Sequence, residues 1–236
     1  IAFIILLFGI IFIPRIVDRI KNGDVVRNES RSDQAKDKNK YVSDLAFLEI
    51  NNQPKKVPSF SFKDQNGNTV TNKDYEGKVY VLEFFFTTCP TICPRMNRNL
   101  VQIQEEFKGF DNFGVASFTI NPEHDTVEAL KAYAESYKIT NPNWHLMTGN
   151  EEQIYKLANE GFNLYTAKDD EAEGGFEHSG NFALIDKNGF IRSRIVNGNP
   201  IIYYNGMISE EEKIDDEGMS EEISILKEDI AKLLKE

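Results

Sequence analysis

Residues 79–86, Val-Tyr-Val-Leu-Glu-Phe-Phe-Phe, make a near-continuous β-branched and aromatic run that breaks off directly at Thr87-Thr88-Cys89. A run of this kind has no polar face to offer water, so it reads as a central strand buried on both sides. After Cys93 the pattern changes period. Met96, Leu100, Ile103 and Phe107 follow one another at steps of four, three and four, which lines one face of a helix, and Pro94 suits the first helical turn. A buried strand thus hands the chain to a helix through a turn that holds both cysteines of the protein.

The flanking segments extend this unit. Phe60, Phe62 and Val70 around Asp64-Gln65-Asn66-Gly67-Asn68 predict an opening β-hairpin. Residues 113–120 predict a second strand, and Asp125-Thr126-Val127-Glu128 a capping box that starts a helix with Val127, Leu130, Ala134 and Tyr137 turned inward. Asn150 with Gln153 opens a short helix carrying Ile154, Leu157 and Ala158, which Gly161 closes in the left-handed conformation. Residues 166–180 read as an acidic, glycine-containing loop. Residues 182–185 and 190–196 around Asp186-Lys187-Asn188-Gly189 read as a hairpin, and Ile223, Leu226, Ile230 and Leu233 as the stripe of a terminal helix. Strands alternating with helices imply an α/β domain with parallel strands. The order is that of a thioredoxin-like fold with an N-terminal β-hairpin extension.

At 236 residues and 40% hydrophobic content the chain supports one sizeable core, placed at residues 57–236. Within it, residues 209–222 carry eight acids and one base, Lys213, and read as a solvated insertion. The net charge of −11 argues against a nucleic-acid partner, because phosphate binding needs clustered cations. Residues 1–13 are apolar and uncharged and run into Pro14, Arg15 and Asp18. This predicts a transmembrane anchor over residues 1–21, shorter than the ~20 apolar residues of a full span and so read as truncated. No small-residue cleavage site follows it, which favours an anchor over a removed signal peptide. Residues 22–56, polar and charge-mixed at their start, read as a tether.

Two cysteines four positions apart, Cys89 and Cys93, cannot form a distributed disulfide framework. At a helix start the dipole favours their thiolates, and the spacing lies within possible disulfide reach, so the pair can chelate a metal, oxidise, or both. The remaining candidates read more plainly: His124 precedes a helix cap, His145 sits in a half-buried strand, and Met96 begins the helix's core stripe.

At this point the residues resemble a known family. Cys89-Pro90-Thr91-Ile92-Cys93-Pro94 resembles the C-P-x-x-C-P motif of the Sco/SenC copper chaperones of cytochrome c oxidase. Residues 121–126 (NPEHDT) are similar to that family's D-P-E-x-D-T segment and residues 144–149 (WHLMTG) to its W-x-x-L-T-G, so the likeness covers residues 57–196. Asn121 stands where the family has Asp, and Glu177 where an Asp often precedes the histidine. The resemblance implies that His178 is a third ligand beside Cys89 and Cys93, with Cu(I) or Cu(II) as the metal. Two thiolates and an imidazole form a soft, low-coordinate set that suits Cu(I), whereas zinc lacks its fourth protein ligand. The resemblance also implies a copper-containing oxidase subunit as recipient, with a thiol reductase or copper donor as a further partner. It places the domain on the periplasmic side of a bacterial inner membrane, ahead of the mitochondrial inner membrane.

A membrane-anchored thiol-disulfide oxidoreductase, with Cys89 attacking and Cys93 resolving, is the alternative. Three residues between the cysteines instead of two, and no proline between Pro142 and Pro200 to serve as the cis-proline of thioredoxins, favour chelation.

Overall fold

The computed structural model describes residues 45–169, 171–172 and 174–236. The expected anchor, residues 1–21, lies outside them, and no helix among the described residues is long and apolar enough to cross a membrane. In chain order the elements are β1 (Leu45–Phe47), β2 (Ser61–Asp64), β3 (Thr69–Thr71), β4 (Val79–Phe85), α1 (Ile92–Phe107), β5 (Phe113–Thr119), α2 (Val127–Ser136), β6 (Trp144–Thr148) and α3 (Glu151–Lys156). There follow β7 (Thr166–Lys168), β8 (Phe176–His178), β9 (Asn181–Ile185), β10 (Ile191–Val196), β11 (Tyr204–Asn205) and α4 (Ile223–Lys235).

The main sheet runs β1-β10-β9-β4-β5-β6-β2-β3, with β11 paired to β9. Strands β4, β5 and β6 are parallel, and β9, β10 and β2 run antiparallel to their neighbours. The central strand is buried along its whole length because both of its faces are covered. Successive side chains of a strand point to opposite faces. Phe84 accordingly meets Phe162 at 6.0 Å between ring centroids, while Phe85 meets Tyr133 of α2 at 5.5 Å. Helix α1 buries the predicted stripe of Met96, Leu100, Ile103 and Phe107, and α4 buries Ile223, Leu226, Ile230 and Leu233.

Several expectations are corrected. The sheet begins inside the stretch 22–56 assigned to a tether: β1 pairs with β10, and Arg192, fully buried, reaches back to the carbonyl of Leu45 at 3.0 Å. Residues 166–180 are not simply a loop, since β7 and β8 form a short antiparallel hairpin that pairs His178 with Thr166. The α2 cap is Thr126, which accepts from the Ala129 N–H, and not Asp125, which points into the interior. Gly161 does not end the third helix. The chain continues as a π-helical turn over Leu157–Phe162 and closes at Asn163 in the left-handed region, φ 53°. Gly161 is needed instead for closeness, since a Cβ there would lie 3.1 Å from Pro58 Cγ. The acidic insertion is largely exposed, as expected, yet tied down: Glu212 pairs with Arg95 of α1 at 2.9 Å, and Glu210 with Lys227 of α4.

Candidate metal centre

The site grows out of the end of β4. Phe86 and Thr87 carry the chain off the end of the strand, and the Cys89 N–H donates to the Phe86 carbonyl at 3.3 Å, closing a tight turn. Helix α1 starts at Ile92 behind Thr91, whose side chain makes no capping bond. The first-turn N–H groups of such a helix lack partners within it and need an acceptor. Cys89 supplies one, its Sγ accepting from the Cys93 N–H at 3.4 Å.

This arrangement separates the two thiols. The hydrogen bond from the Cys93 thiol, with lesser help from His178 and the N–H groups of Cys93 and Thr91, holds Cys89 at about 3, against the opposing effect of burial. Cys93, with no exposed surface, is driven the other way by burial and by its negative neighbour. Both cysteines are free thiols.

His178, at the end of β8, completes the group. Its Nε2 is 3.2 Å from Cys93 Sγ, and its Nδ1 lies 3.2 Å from the Ser179 carbonyl. The contact with that carbonyl orients the ring so that Nε2 faces the two sulfurs. The ring stands edge-on to Phe86, with centroids 5.7 Å apart, and Phe176 packs on the same Phe86 at 5.1 Å. Gly174, ahead of β8, lies directly on this surface. Gly174 has φ +85°, and a Cβ on it would fall 2.9 Å from the Phe86 ring and 3.1 Å from Pro90 Cδ. The donor atoms of Cys89, Cys93 and His178 all lie within 4.8 Å of one another, and among the described residues this is the one group of its kind.

The other candidates stay apart. His145 is half-buried in β6 with Nδ1 3.1 Å from Asp64 Oδ2, Met96 is core, and Glu177 faces outward. The sequence reading missed the place of two carboxylates. Glu83, the one charged residue in the central strand, is fully buried. Its Oε1 accepts from Ser117 Oγ at 2.7 Å, which in turn accepts from Trp144 Nε1 at 3.0 Å. Its Oε2 has no hydrogen-bond partner among the described residues, and burial pushes the carboxyl up to about 7. A lone acid in an apolar run was the signal for it. Asp125 is likewise fully buried and bonded to Thr87, two residues ahead of Cys89.

The sequence model of the SCO1/SenC family matches residues 49–208. The chain belongs to the SCO1/SenC family. This Sco-family chain is 31% identical over 144 residues to a putative copper-binding protein of Stutzerimonas stutzeri, covering 59% of the chain and 68% of that relative. Its fold matches a SCO1/SenC family lipoprotein from Bacillus anthracis at a TM-score of 0.63 and 28% identity, over 80% of the chain and 99% of the other. It also matches BsSco, a member of the Sco family of cytochrome c oxidase assembly proteins in which a disulfide switch was identified. That match has a TM-score of 0.60 at 25% identity and covers 76% and 94% of the two chains. The mixed α/β, thioredoxin-like Sco fold expected from the sequence is therefore the fold observed.

Proposed function

We propose that this Sco-family protein binds copper through Cys89, Cys93 and His178 and delivers it to the copper centre of a terminal oxidase. The observation that carries the reading is the convergence of two sulfurs and one imidazole nitrogen within 4.8 Å beyond the end of the central strand. The donor set fits Cu(I), which accepts low coordination and prefers sulfur. Copper is cargo here. Cys89 meets it as a thiolate, Cys93 releases its proton to solvent as it ligates, and His178 offers Nε2 while Ser179 fixes the ring. Phe86, packed against His178 and Phe176, would shield one side of a bound ion from water. A membrane anchor at residues 1–21 would hold the domain near its recipient and raise the encounter frequency.

A second reading is favoured by the opposed thiols. Cys89 as thiolate attacks a disulfide of the recipient and expels one of its thiolates. Cys93 then loses its proton and attacks the Cys89 sulfur of the mixed disulfide, expelling the recipient's second thiolate and leaving an oxidised Cys89–Cys93 pair and a reduced recipient.

One experiment separates the two: incubate the Cu(I)-loaded chain, and separately the reduced metal-free chain, with an oxidase copper-site fragment in dithiol or disulfide form. Copper transfer to the dithiol without thiol oxidation supports delivery. Stoichiometric disulfide reduction by the metal-free chain, with no copper transfer, supports the reductase.

A further inference from the structure

Asp125 has no exposed surface, yet among the described residues it belongs to no ion pair with Lys or Arg and does not cap the helix it precedes, since Thr126 does that. Burying a carboxylate is costly unless its oxygens are met by donors. Here they are met in full. Oδ2 accepts from the Thr87 N–H at 3.0 Å and from the Thr119 hydroxyl, and Oδ1 accepts from the Thr87 hydroxyl and lies 3.0 Å from His124 Nδ1. The Thr119 oxygen accepts in turn from the Asn121 N–H at 3.1 Å.

Topology gives this clamp its meaning. Thr119 is the last residue of β5 and Thr87 the second residue past the end of β4, so one carboxylate ties the ends of two parallel strands together where the cysteine turn departs. Thr87 is gripped twice, through its N–H and its hydroxyl, which fixes both the position and the direction of the chain. Two residues later Cys89 must present its sulfur to the Cys93 N–H. Thr88, Pro90 and Thr91 are exposed, so packing does little to hold the intervening backbone. The turn is fixed at its far end by helix α1 and at its near end by Asp125.

We infer that Asp125 is a positioning residue for the cysteine pair: through Thr87 it sets the placement of Cys89 relative to Cys93 and His178. This deepens the proposed copper-binding reading and rests on it for its metal arm only. Asn at this position keeps the size but replaces one acceptor oxygen by a donor, which then faces groups that are themselves donors.

The test uses the full chain and two readouts that a loss of general stability leaves alone. The first is the equilibrium of the metal-free pair with glutathione, in which Cys89 and Cys93 thiols plus one glutathione disulfide give the Cys89–Cys93 disulfide plus two glutathione thiols. The second is the energy of the sulfur-to-Cu(II) charge-transfer band. Asp125→Asn is expected to shift the glutathione equilibrium constant at least tenfold and to move the band. Thr87→Val, which removes one of the two grips, is expected to shift the equilibrium in the same direction by less. Asp229→Asn, which disturbs another fully buried carboxylate on α4, is expected to lower the unfolding midpoint while leaving both readouts at the wild-type values. A folded Asp125→Asn with wild-type equilibrium and band overturns the inference. If that variant does not fold, a wild-type equilibrium for Thr87→Val overturns it instead. A wild-type chain that fails to bind copper defeats the proposed function, and the glutathione arm still decides the role of Asp125.

Discussion

The Cys93 N–H points at the sulfur of Cys89 from 3.4 Å, so the first turn of a helix adds to the hydrogen bond from the Cys93 thiol in stabilising one thiolate of a pair whose other member is fully buried. With Cys89 held at about 3 and Cys93 raised, alkylation should be confined to Cys89, and its rate should be flat between about pH 5 and pH 8. Mass-mapped iodoacetamide labelling of the metal-free chain checks this. A rate that climbs about tenfold per pH unit, as for an ordinary thiol, contradicts it.

Glu83 gives the fold a pH dependence of its own. Its folded value of about 7 lies above the ordinary 4.5, so the protonated form is favoured in the folded state. The stability it contributes is fully present below pH 4.5 and is lost as pH rises through 7, by about 3 kcal/mol in all. Glu83→Gln should remove most of this loss, so that the urea midpoints at pH 5 and pH 8 draw together. An unchanged difference between the two midpoints would rule Glu83 out as its source.

Gly174 and Gly175 both have positive φ, but only Gly174 faces a wall: its Cβ would strike Phe86, whereas nothing lies within 4 Å of a Cβ at Gly175. Gly175→Ala should cost about 1 kcal/mol from backbone strain, and Gly174→Ala about 2 kcal/mol or more because Phe86 must also move. The His178 ring resonances should shift in the second variant. Equal costs and unshifted His178 signals would contradict the packing described.

The Arg95–Glu212 pair joins the acidic insertion to α1, with side chains 37% and 47% exposed. Exposed pairs contribute ~0.2–1 kcal/mol, so Glu212→Gln should barely move the thermal midpoint. Leu226→Ala, in the fully buried face of α4, should cost about 2–5 kcal/mol. Paired thermal melts of the two variants check both, and a large effect of Glu212→Gln would give the insertion a structural role.

The central strand, helix α1 and helix α4 were legible in the sequence because long apolar patterns leave one solution for burial. The cysteine turn was legible because it sits where those patterns change period. The β7–β8 hairpin was not: its strands have three residues each, and its turn is rich in acids and glycine, so its register comes from Phe176 packing on Phe86 and not from local propensity. Strand β1 was hidden for a similar reason, being a three-residue edge whose partner lies about 150 positions away. Asp125 was misread because an acid three residues ahead of Glu128 satisfies a local capping rule, and only the fold shows Thr126 taking that role. His178 came into view through family resemblance, since the 85 residues separating it from Cys93 leave no periodic trace.

The central claim is that three side chains act as one copper site. Anaerobic competition titration of Cu(I) into the chain, its His178→Ala variant and its Cys89→Ser/Cys93→Ser variant tests it most directly. Binding is expected to be one-to-one, weakened at least about tenfold, ~1.4 kcal/mol, without the imidazole and abolished without the thiols. Binding of equal strength in wild type and His178→Ala, or retained after both cysteines are replaced, would contradict it.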